Sequence, residues 1–343
     1  MNWIGLDIGG ANLKASNGEN WTREIPFPLW KHPESLTDAL RSLTEGFVSD
    51  KTIIAVTMTG ELADCFATKS EGVDRILSSV EQAFPALQIQ VWQTGGEFVS
   101  PADAREFPIL VAAANWHAQA TWVGRACSAG VGLLIDIGST TTDIIPLSQG
   151  MPVAEGGTDP LRLLSGELVY TGVRRTPLMA LGAQLEFRGQ SIGVAAELFA
   201  TTRDLYLWSG DLPESPADCD TANGRPATRE HAGDRLTRML CGDRDDITLD
   251  EVDHVVGQWI EMQQARIRQS IERVIARQAA PVSMVLLSGE GEFLATRVVD
   301  SIPSLAGVET LSLARLLGPL HSVGACAFAV ARLAAERPFL ADA

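Results

Sequence analysis

A short motif occurs twice in this chain, each time where an apolar strand is predicted to end. Asp-Ile-Gly stands at residues 7–9 after the run WIGL and again at residues 136–138 after the run VGLLI. Small residues follow both copies, so backbone N–H groups can approach an anion without interference from a Cβ atom. An aspartate at such a strand end suits a hydrated Mg²⁺ ion or the proton of an attacking hydroxyl. The repeat predicts two related phosphate-binding turns; the alternative is two ordinary turns with capping aspartates.

The rest of the sequence alternates between strand-like and helix-like segments. Residues 3–8, 52–58 and 282–287 are apolar runs typical of buried strands, whereas residues 73–84 and 250–280 carry apolar side chains at helical spacing. This alternation predicts an α/β fold, and a length of 343 residues is enough for about two domains. Residues 209–246 differ because they are rich in Pro, Asp, Gly and Arg, which predicts an extended loop or insertion.

Charge and composition exclude several classes of function. The chain has 27 Lys and Arg against 43 Asp and Glu, a formal net charge of −16 that disfavours nucleic acid as a partner. No uncharged apolar stretch is long enough to span a membrane, and the N-terminus lacks the basic start of a signal peptide. The five cysteines are scattered and lack a C-x-x-C pair, which predicts reduced thiols in a cytoplasmic protein. The sequence leaves a homo-oligomer open.

Other phosphate and metal signatures are missing. The sequence has neither the P-loop pattern nor a G-x-G-x-x-G turn after a strand, so P-loop and Rossmann folds are disfavoured. The five histidines lack the spacing of a zinc site. The role of Cys65, Cys219 and Cys241 stays open.

The two turns, together with a late Ser-Gly-Glu-Gly segment at residues 288–291, resemble the superfamily of sugar kinases, heat-shock chaperones and actin. This resemblance implies two ribonuclease-H-like domains around a central cleft, an actin-like ATPase fold. We expect the first domain at residues 1–125, joined by a C-terminal helix at about residues 323–336. The second domain is expected at residues 130–320, with the insertion at about residues 209–246.

Longer segments resemble the hydantoinase A/oxoprolinase-related proteins of tetrahydromethanopterin-linked one-carbon metabolism. The resemblance spans residue 1 to about residue 335, and it rests on the segments LDIGGANLKAS (6–16), MTGELADCF (58–66), AAANWHA (112–118), IDIGSTTTDIIPL (135–147), GTDPLRLLSGELVYTGVRRTPL (157–178) and CDTANGRPATREHAGDRLTRMLCGD (219–243).

In archaea this family includes a condensing enzyme of methanofuran biosynthesis. The resemblance therefore implies a transferase that joins an aminomethyl-furan methyl diphosphate to the phenol oxygen of γ-glutamyltyramine, or a related phenol, and releases diphosphate. A small-molecule kinase or ATPase, a hydantoinase-like enzyme and a non-catalytic nucleotide-gated regulator stay open as alternatives. Only the kinase alternative requires ATP, for which Ser288, Gly289 and Gly291 would form the adenosine segment.

The resemblance and the repeat together imply a set of site residues around a small phosphorylated substrate. The expected catalytic residues are Asp7 and Asp136, which would also organise Mg²⁺ directly or through water. Asp143 is expected either as a further carboxylate on the metal side or as an ordinary strand-end residue. The expected phosphate contacts are Gly9, Gly10, Asn12, Lys14, Gly138, Ser139, Thr140 and Thr141.

Three arginines and two acidic residues complete the expected set. Arg162, Arg174 and Arg175 are expected to hold substrate carboxylates or the diphosphate, with ion pairs to nearby acidic residues as the alternative. Glu61 and Asp64 follow a predicted strand end, and they either face the cleft or begin a helix.

Overall fold

The computed structural model describes residues 2–337, and most of its strands belong to two mixed sheets. The first sheet has six strands: β1 (Asn2–Ile8), β2 (Asn12–Ser16), β3 (Thr22–Pro26), β4 (Thr52–Met58), β5 (Gln88–Trp92) and β6 (Phe98–Val99). The later strands are β7 (Val131–Ile137), β8 (Thr142–Ser148), β9 (Met151–Pro152), β10 (Leu168–Val169), β11 (Gln184–Phe187), β12 (Gln190–Gly193), β13 (Val282–Ser288) and β14 (Glu309–Ser312).

Helices cover both sheets. The α-helices are α1 (Leu36–Leu43), α2 (Lys69–Ala83), α3 (Pro101–Glu106), α4 (Pro108–Val111), α5 (Asn115–Val123), α6 (Asp159–Ser165), α7 (Thr202–Ser209), α8 (Arg229–Arg238), α9 (Leu249–Ile275), α10 (Glu292–Asp300), α11 (Leu313–Leu317), α12 (Pro319–Val323) and α13 (Ala325–Glu336). Short 3₁₀ helices lie at Pro33–Ser35, Gly124–Cys127, Leu178–Ala180 and Pro303–Leu305.

The two sheets share one strand order. The first sheet has the order β3-β2-β1-β4-β5-β6, in which β1, β4 and β5 are parallel and β2 and β3 are antiparallel. The second sheet repeats it as β10-β8-β7-β13-β14, with β9 on the edge of β8, while β11 and β12 form a separate hairpin. This repeated order is that of a ribonuclease-H-like unit, so the predicted α/β fold with two such units is confirmed.

We call each sheet with its covering helices a lobe. Strands of the first lobe lie within residues 2–99, and those of the second lobe lie within residues 131–312. The domain limits expected from the sequence stay a prediction, and residue 1 at the start of the first lies outside the described residues.

The last helix packs on the first sheet. Helix α13 lies against β1, β4 and α5, and it is buried along most of its length. A Cβ atom at Gly5 of β1 would lie 2.1 Å from the backbone oxygen of Ala327, so only glycine allows this close approach. The packing places α12 and the start of α13 beside the strand ends of both sheets, where the site lies.

The expectation of an extended loop at residues 209–246 was wrong for the part that forms a helix, and the alternative of an insertion stays a prediction. The ten-residue helix α8 lies within this segment, and the side chain of Thr228 caps it by accepting a hydrogen bond from the N–H of His231. The buried Arg235 of α8 donates to Asp204 of α7 at 2.8 Å, which fixes the helix against its neighbour. The helix was not predicted because the sequence around it is rich in Pro and Gly and because its position depends on this tertiary contact.

The absence of a membrane span and the state of the cysteines were both expected from the sequence. Over residues 2–337, no helix is long and apolar enough to cross a membrane. All five cysteines are unpaired, as the scattered spacing predicted.

Candidate active site

The two Asp-Ile-Gly copies form two turns with the same backbone geometry. The N–H of Gly9 donates to the carbonyl oxygen of Asn12 at 3.1 Å, and that of Gly138 donates to the carbonyl oxygen of Thr141 at 2.9 Å. Both turns begin where the first strand of a sheet ends, so the sequence repeat is also a structural repeat. The two turns face each other across the cleft between the lobes.

A small cavity lies between the two turns, and we call it the central chamber. Its volume is about 130 Å³. Every expected catalytic, metal and phosphate-turn residue lines it; the full lining is Asp7, Gly9, Gly10, Ala11, Asn12, Lys14, Thr59, Asn115, Asp136, Gly138, Ser139, Thr140, Thr141, Asp143, Ser322, Val323, Ala325 and Cys326. The fold therefore brings together in one chamber residues that lie far apart in the sequence.

Gly10 of the first turn and Gly138 of the second leave open space next to this chamber. A Cβ atom built on Gly10 would meet no atom within 4 Å, and one on Gly138 would come no closer than 3.7 Å to the oxygen of Thr141. Larger residues at these positions would place side chains where a ligand could contact the backbone N–H groups. This open space is what a cradle for an anion requires.

Asp7 has an oxygen atom that is free to bind something else. Its Oδ1 atom is buried and has no hydrogen-bond partner among residues 2–337. Burial raises the pKa of Asp7 to about 6; the nearby Lys14 ammonium opposes this rise and the carboxylate of Asp136 adds to it. A buried carboxylate oxygen without a partner is costly, so this atom fits a bound cation or a transferred proton.

Asp136 is held from behind by two polar side chains. The hydroxyl of Ser288, on the neighbouring strand β13, donates to Asp136, and the amide of Gln119 donates to the Ser288 hydroxyl at 2.6 Å. Burial raises the pKa of Asp136, and the hydrogen bond from Ser288 opposes that effect. These contacts fix the orientation of the Asp136 carboxylate.

The expected adenosine segment does not line the central chamber. Ser288 is fully buried, and a Cβ atom at Gly289 would lie 2.3 Å from the carbonyl oxygen of Ile137. A Cβ atom at Gly291 would lie 2.5 Å from the side chain of Ile137 and 2.8 Å from that of Val173. The segment thus packs against the strand end that carries Asp136, and its role towards a nucleotide stays a prediction.

Asp143 is paired with a buried arginine. The guanidinium of Arg162 lies 2.7 Å from Asp143, and only 1% of the Arg162 side chain is exposed. Burial raises the pKa of Asp143 to about 6, although the charge of Arg162 opposes the rise. Arg162 also lies over the ring of Trp116 of helix α5, at 4.3 Å from the ring centroid.

Lys14 supplies the positive charge of the central chamber. Its ammonium group donates to the carbonyl oxygen of Val323 at 2.9 Å and lies 3.8 Å from a carboxylate oxygen of Glu24. These contacts hold the side chain at the edge of the chamber. The expected contact with a phosphate stays a prediction.

Two larger cavities adjoin the central chamber. The arginine chamber, of about 680 Å³, is lined by Ala11, Asn12, Glu24, Pro26, Trp30, Ser139, Arg174, Arg175, Pro177, Leu198, Thr201, Arg203, Asp218, Asp220, Thr221, Ala222 and Glu290. The aromatic chamber, of about 470 Å³, is lined by Gly10, Ala11, Trp30, Thr59, Leu62, Ala63, Asp64, Ala113, Asn115, Thr140, Thr141, Asp143, Asp159, Arg162, Leu168, Tyr170 and Arg175.

Several lining residues were missed by sequence reasoning. Thr59 and Asn115 line both the central and the aromatic chamber, and Trp30 lines both side chambers. The position of Thr59 directly after strand β4 could have predicted its place in the site, because the carboxyl ends of parallel strands lie at the same edge of a sheet. No local pattern marks Trp30.

The two acidic residues after β4 have different surroundings. Asp64 lines the aromatic chamber, whereas Glu61 is 1% exposed and lines none of the three chambers. Neither begins a helix, because α2 starts at Lys69. Both carboxylate oxygens of Glu61 lack a hydrogen bond among the described residues, and the nearest ammonium, that of Lys69, lies 3.7 Å away.

Comparison with protein families shows to which family the chain belongs. The model of the hydantoinase/oxoprolinase family matches residues 53–337, most of the sequence. The chain belongs to the hydantoinase/oxoprolinase family. The family match includes the second turn, and the first turn lies before the matched range.

Two curated relatives carry the same printed name, (4-{4-[2-(gamma-L-glutamylamino)ethyl]phenoxymethyl}furan-2-yl)methanamine synthase. The protein from Methanocaldococcus jannaschii is 34% identical over 333 residues, which cover 96% of both chains. The protein from Methanococcus vannielii is 29% identical over 201 residues, 59% of this chain and 89% of the relative. Both names denote synthases, which supports a synthase or transferase role for this family member.

A solved structure shares the fold. A chain of the PilM–PilN type IV pilus biogenesis complex superposes with a TM-score of 0.51 at 13% identity, covering 96% of this chain and 98% of the other. At this identity the likeness concerns the fold alone. Together with the two repeated sheets, it confirms the predicted actin-like architecture.

Proposed function

We propose that the protein is a transferase that joins an aminomethyl-furan methyl diphosphate to the phenol oxygen of γ-glutamyltyramine, or of a related phenol, and releases diphosphate. The printed name of the relative at 34% identity describes an ether of this kind, with a phenoxymethyl group on a furan. The observation that carries the proposal is the central chamber, which two glycine turns line together with the buried Asp7 and the half-buried Asp136 and Asp143.

The diphosphate fits the central chamber only together with a cation. Three carboxylates, those of Asp7, Asp136 and Asp143, line the chamber with the single ammonium of Lys14. A diphosphate alone would be repelled by this charge. Backbone N–H groups of the two turns would contact the phosphates, as in other anion-binding nests.

The donor set suits Mg²⁺, because three carboxylates line the central chamber and carboxylate oxygens are the preferred protein ligands of this ion. Among residues 2–337, no three His, Cys, Asp or Glu side chains form a group that could ligate a metal. Asp7, Asp136 and Asp143 would therefore hold the ion partly through water. Bound there, Mg²⁺ would neutralise the charge of the leaving diphosphate.

The proposed reaction exchanges one carbon–oxygen bond for another. The bond between the furan methylene carbon and the diphosphate oxygen breaks, and its electron pair leaves with the diphosphate. The phenol oxygen forms the new bond to this carbon, and its proton passes to a carboxylate. Asp7 is better placed than Asp136 to accept it, because an oxygen of Asp136 already accepts the hydrogen bond of Ser288.

The aromatic chamber offers a place for the two rings. It opens directly from the central chamber, with which it shares Gly10, Thr59 and Asn115. Trp30, Leu62, Leu168 and Tyr170 supply apolar and aromatic surface for a furan and a phenol. A furan methylene group at the boundary of the two chambers would lie between the diphosphate and the phenol.

One experiment tests this function against the kinase alternative. The purified protein is incubated with the furan diphosphate, γ-glutamyltyramine and Mg²⁺, and the ether and the released diphosphate are measured by mass spectrometry and a diphosphate assay. A parallel incubation with ATP and Mg²⁺ measures ADP. We expect ether formation with one diphosphate per ether; rapid ATP turnover without ether would contradict the proposal and support a kinase or ATPase.

A further inference from the structure

One cation of the cleft has no ionic partner among residues 2–337. Five cationic side chains line the three chambers, and four of them lie within 4 Å of a carboxylate: Lys14 near Glu24, Arg162 near Asp143, Arg174 near Glu290 and Arg203 near Asp218. Arg175 is the exception, because no carboxylate among residues 2–337 lies within that distance of it. Arg175 is exposed, so its guanidinium is accessible from solvent, and in a protein with a net charge of −16 it is a cation of the cleft that an external anion can reach.

The free guanidinium is held by a residue of the other lobe. Arg175 follows β10 in the second lobe, and it lies over the ring of Trp30 from the first lobe at 4.8 Å from the ring centroid. An arginine stacked in this way has one face covered, while the N–H groups on its edge point outwards. Those N–H groups form the planar fork that binds a carboxylate through two parallel hydrogen bonds.

The position of Arg175 indicates which of the two substrates' anionic groups it would bind. Arg175 lines both side chambers but not the central chamber, where the two turns would hold the diphosphate. The other anionic group in the proposed pair of substrates is the α-carboxylate of the glutamyl group. The arginine chamber also carries Asp220, whose carboxylate has no cationic partner among the described residues and suits the neighbouring α-ammonium group.

We propose that Arg175 is the carboxylate fork that selects a γ-glutamyl acceptor, with Trp30 as the stacking surface that holds it. This inference rests on the proposed function, and it assigns the binding of the acceptor's α-carboxylate to a single arginine. The phenol end lies in the aromatic chamber, and the amino-acid end extends past the Trp30–Arg175 pair into the arginine chamber. Because the two residues come from different lobes, a bound carboxylate also ties the lobes together.

Calorimetric binding of two acceptors tests the assignment. One is γ-glutamyltyramine; the other is 4-aminobutanoyl-tyramine, which lacks only the α-carboxylate. Both are titrated in the presence of Mg²⁺ and inorganic diphosphate into the wild-type protein, Arg175→Gln, Arg175→Lys and Arg225→Gln. Arg225 is an exposed arginine outside the three chambers, and its variant serves as the matched control.

The wild type and Arg225→Gln are expected to prefer γ-glutamyltyramine by about 10- to 100-fold, as for a charge-assisted hydrogen-bonded pair. Arg175→Gln should bind the two acceptors about equally, with the loss confined to γ-glutamyltyramine, and Arg175→Lys should be intermediate. If Arg175→Gln keeps the preference, or weakens both acceptors alike, Arg175 is not the fork. Ether formation by the wild type would then still support the proposed function, whereas a wild type that neither binds γ-glutamyltyramine nor forms ether would overturn both.

Discussion

The hydroxyl of Ser288 donates a hydrogen bond to the carboxylate of Asp136, its neighbour across two parallel strands. Gln119 supports this contact from helix α5 by donating to the Ser288 hydroxyl. The carboxylate of the second turn is thus oriented by residues of a strand and a helix that lie far apart in the sequence. Asp7, in the first turn, has no such support and keeps an oxygen free.

This difference predicts graded effects of three substitutions on the rate of ether formation. Asp7→Asn and Asp136→Asn should each lower kcat by roughly 100-fold or more, because each removes a carboxylate needed for proton transfer or for the metal. Ser288→Ala should lower kcat by only about tenfold, since it removes one hydrogen bond to Asp136 and leaves the charge in place. Steady-state kinetics checks the order, and wild-type rates in both asparagine variants would show that the paired turns are not the reaction centre.

The raised pKa values of the central carboxylates predict an acidic limit to activity. Burial raises the pKa values of Asp7 and Asp143 to about 6, so both groups take up a proton as the pH falls through about 6. The protonated forms can neither accept the phenol proton nor balance the charge of Mg²⁺. We expect kcat/KM to be high above pH 7 and to fall steeply below pH 6. A profile that stays flat down to pH 5 would be incompatible with this assignment.

Alanine substitutions at two glycines near the turns should have different effects, one on thermal stability and the other on ligand binding. A Cβ atom at Gly172 would lie 2.5 Å from the backbone of Gly138 and Thr140, so Gly172→Ala should displace the second turn and lower the thermal unfolding midpoint. Gly10 has open space around it, so Gly10→Ala should leave the midpoint unchanged while weakening diphosphate binding in the presence of Mg²⁺ by about tenfold. Calorimetry and thermal unfolding of both variants check the contrast.

The sequence predicted the parts of the site that are formed by residues close together in the chain. Each Asp-Ile-Gly copy ends a strand and forms a turn through local hydrogen bonds, so the two turns could be placed before the structure was known. Trp30, Gln119 and Ser322 reach the site from separate loops and helices, and no local pattern encodes such contacts. The helix around Arg235 was missed for the same reason, because a buried ion pair with another helix fixes it.

Glu61 predicts an unusual dependence of stability on pH. Burial raises its pKa to about 7, from an ordinary value of 4.5, although the nearby charge of Lys69 opposes the rise. The folded state therefore holds a proton that the unfolded state has lost, so this residue makes the fold less stable as the pH rises from about 4.5 through 7. Glu61→Gln should abolish this loss, which amounts to roughly 2–3 kcal/mol. Denaturant unfolding at pH 5 and pH 8 should show the variant gaining much more over the wild type at pH 8 than at pH 5. Glu45→Gln, at an exposed site of the same lobe, is the control, and an equal gain at both pH values would refute a buried, protonated Glu61.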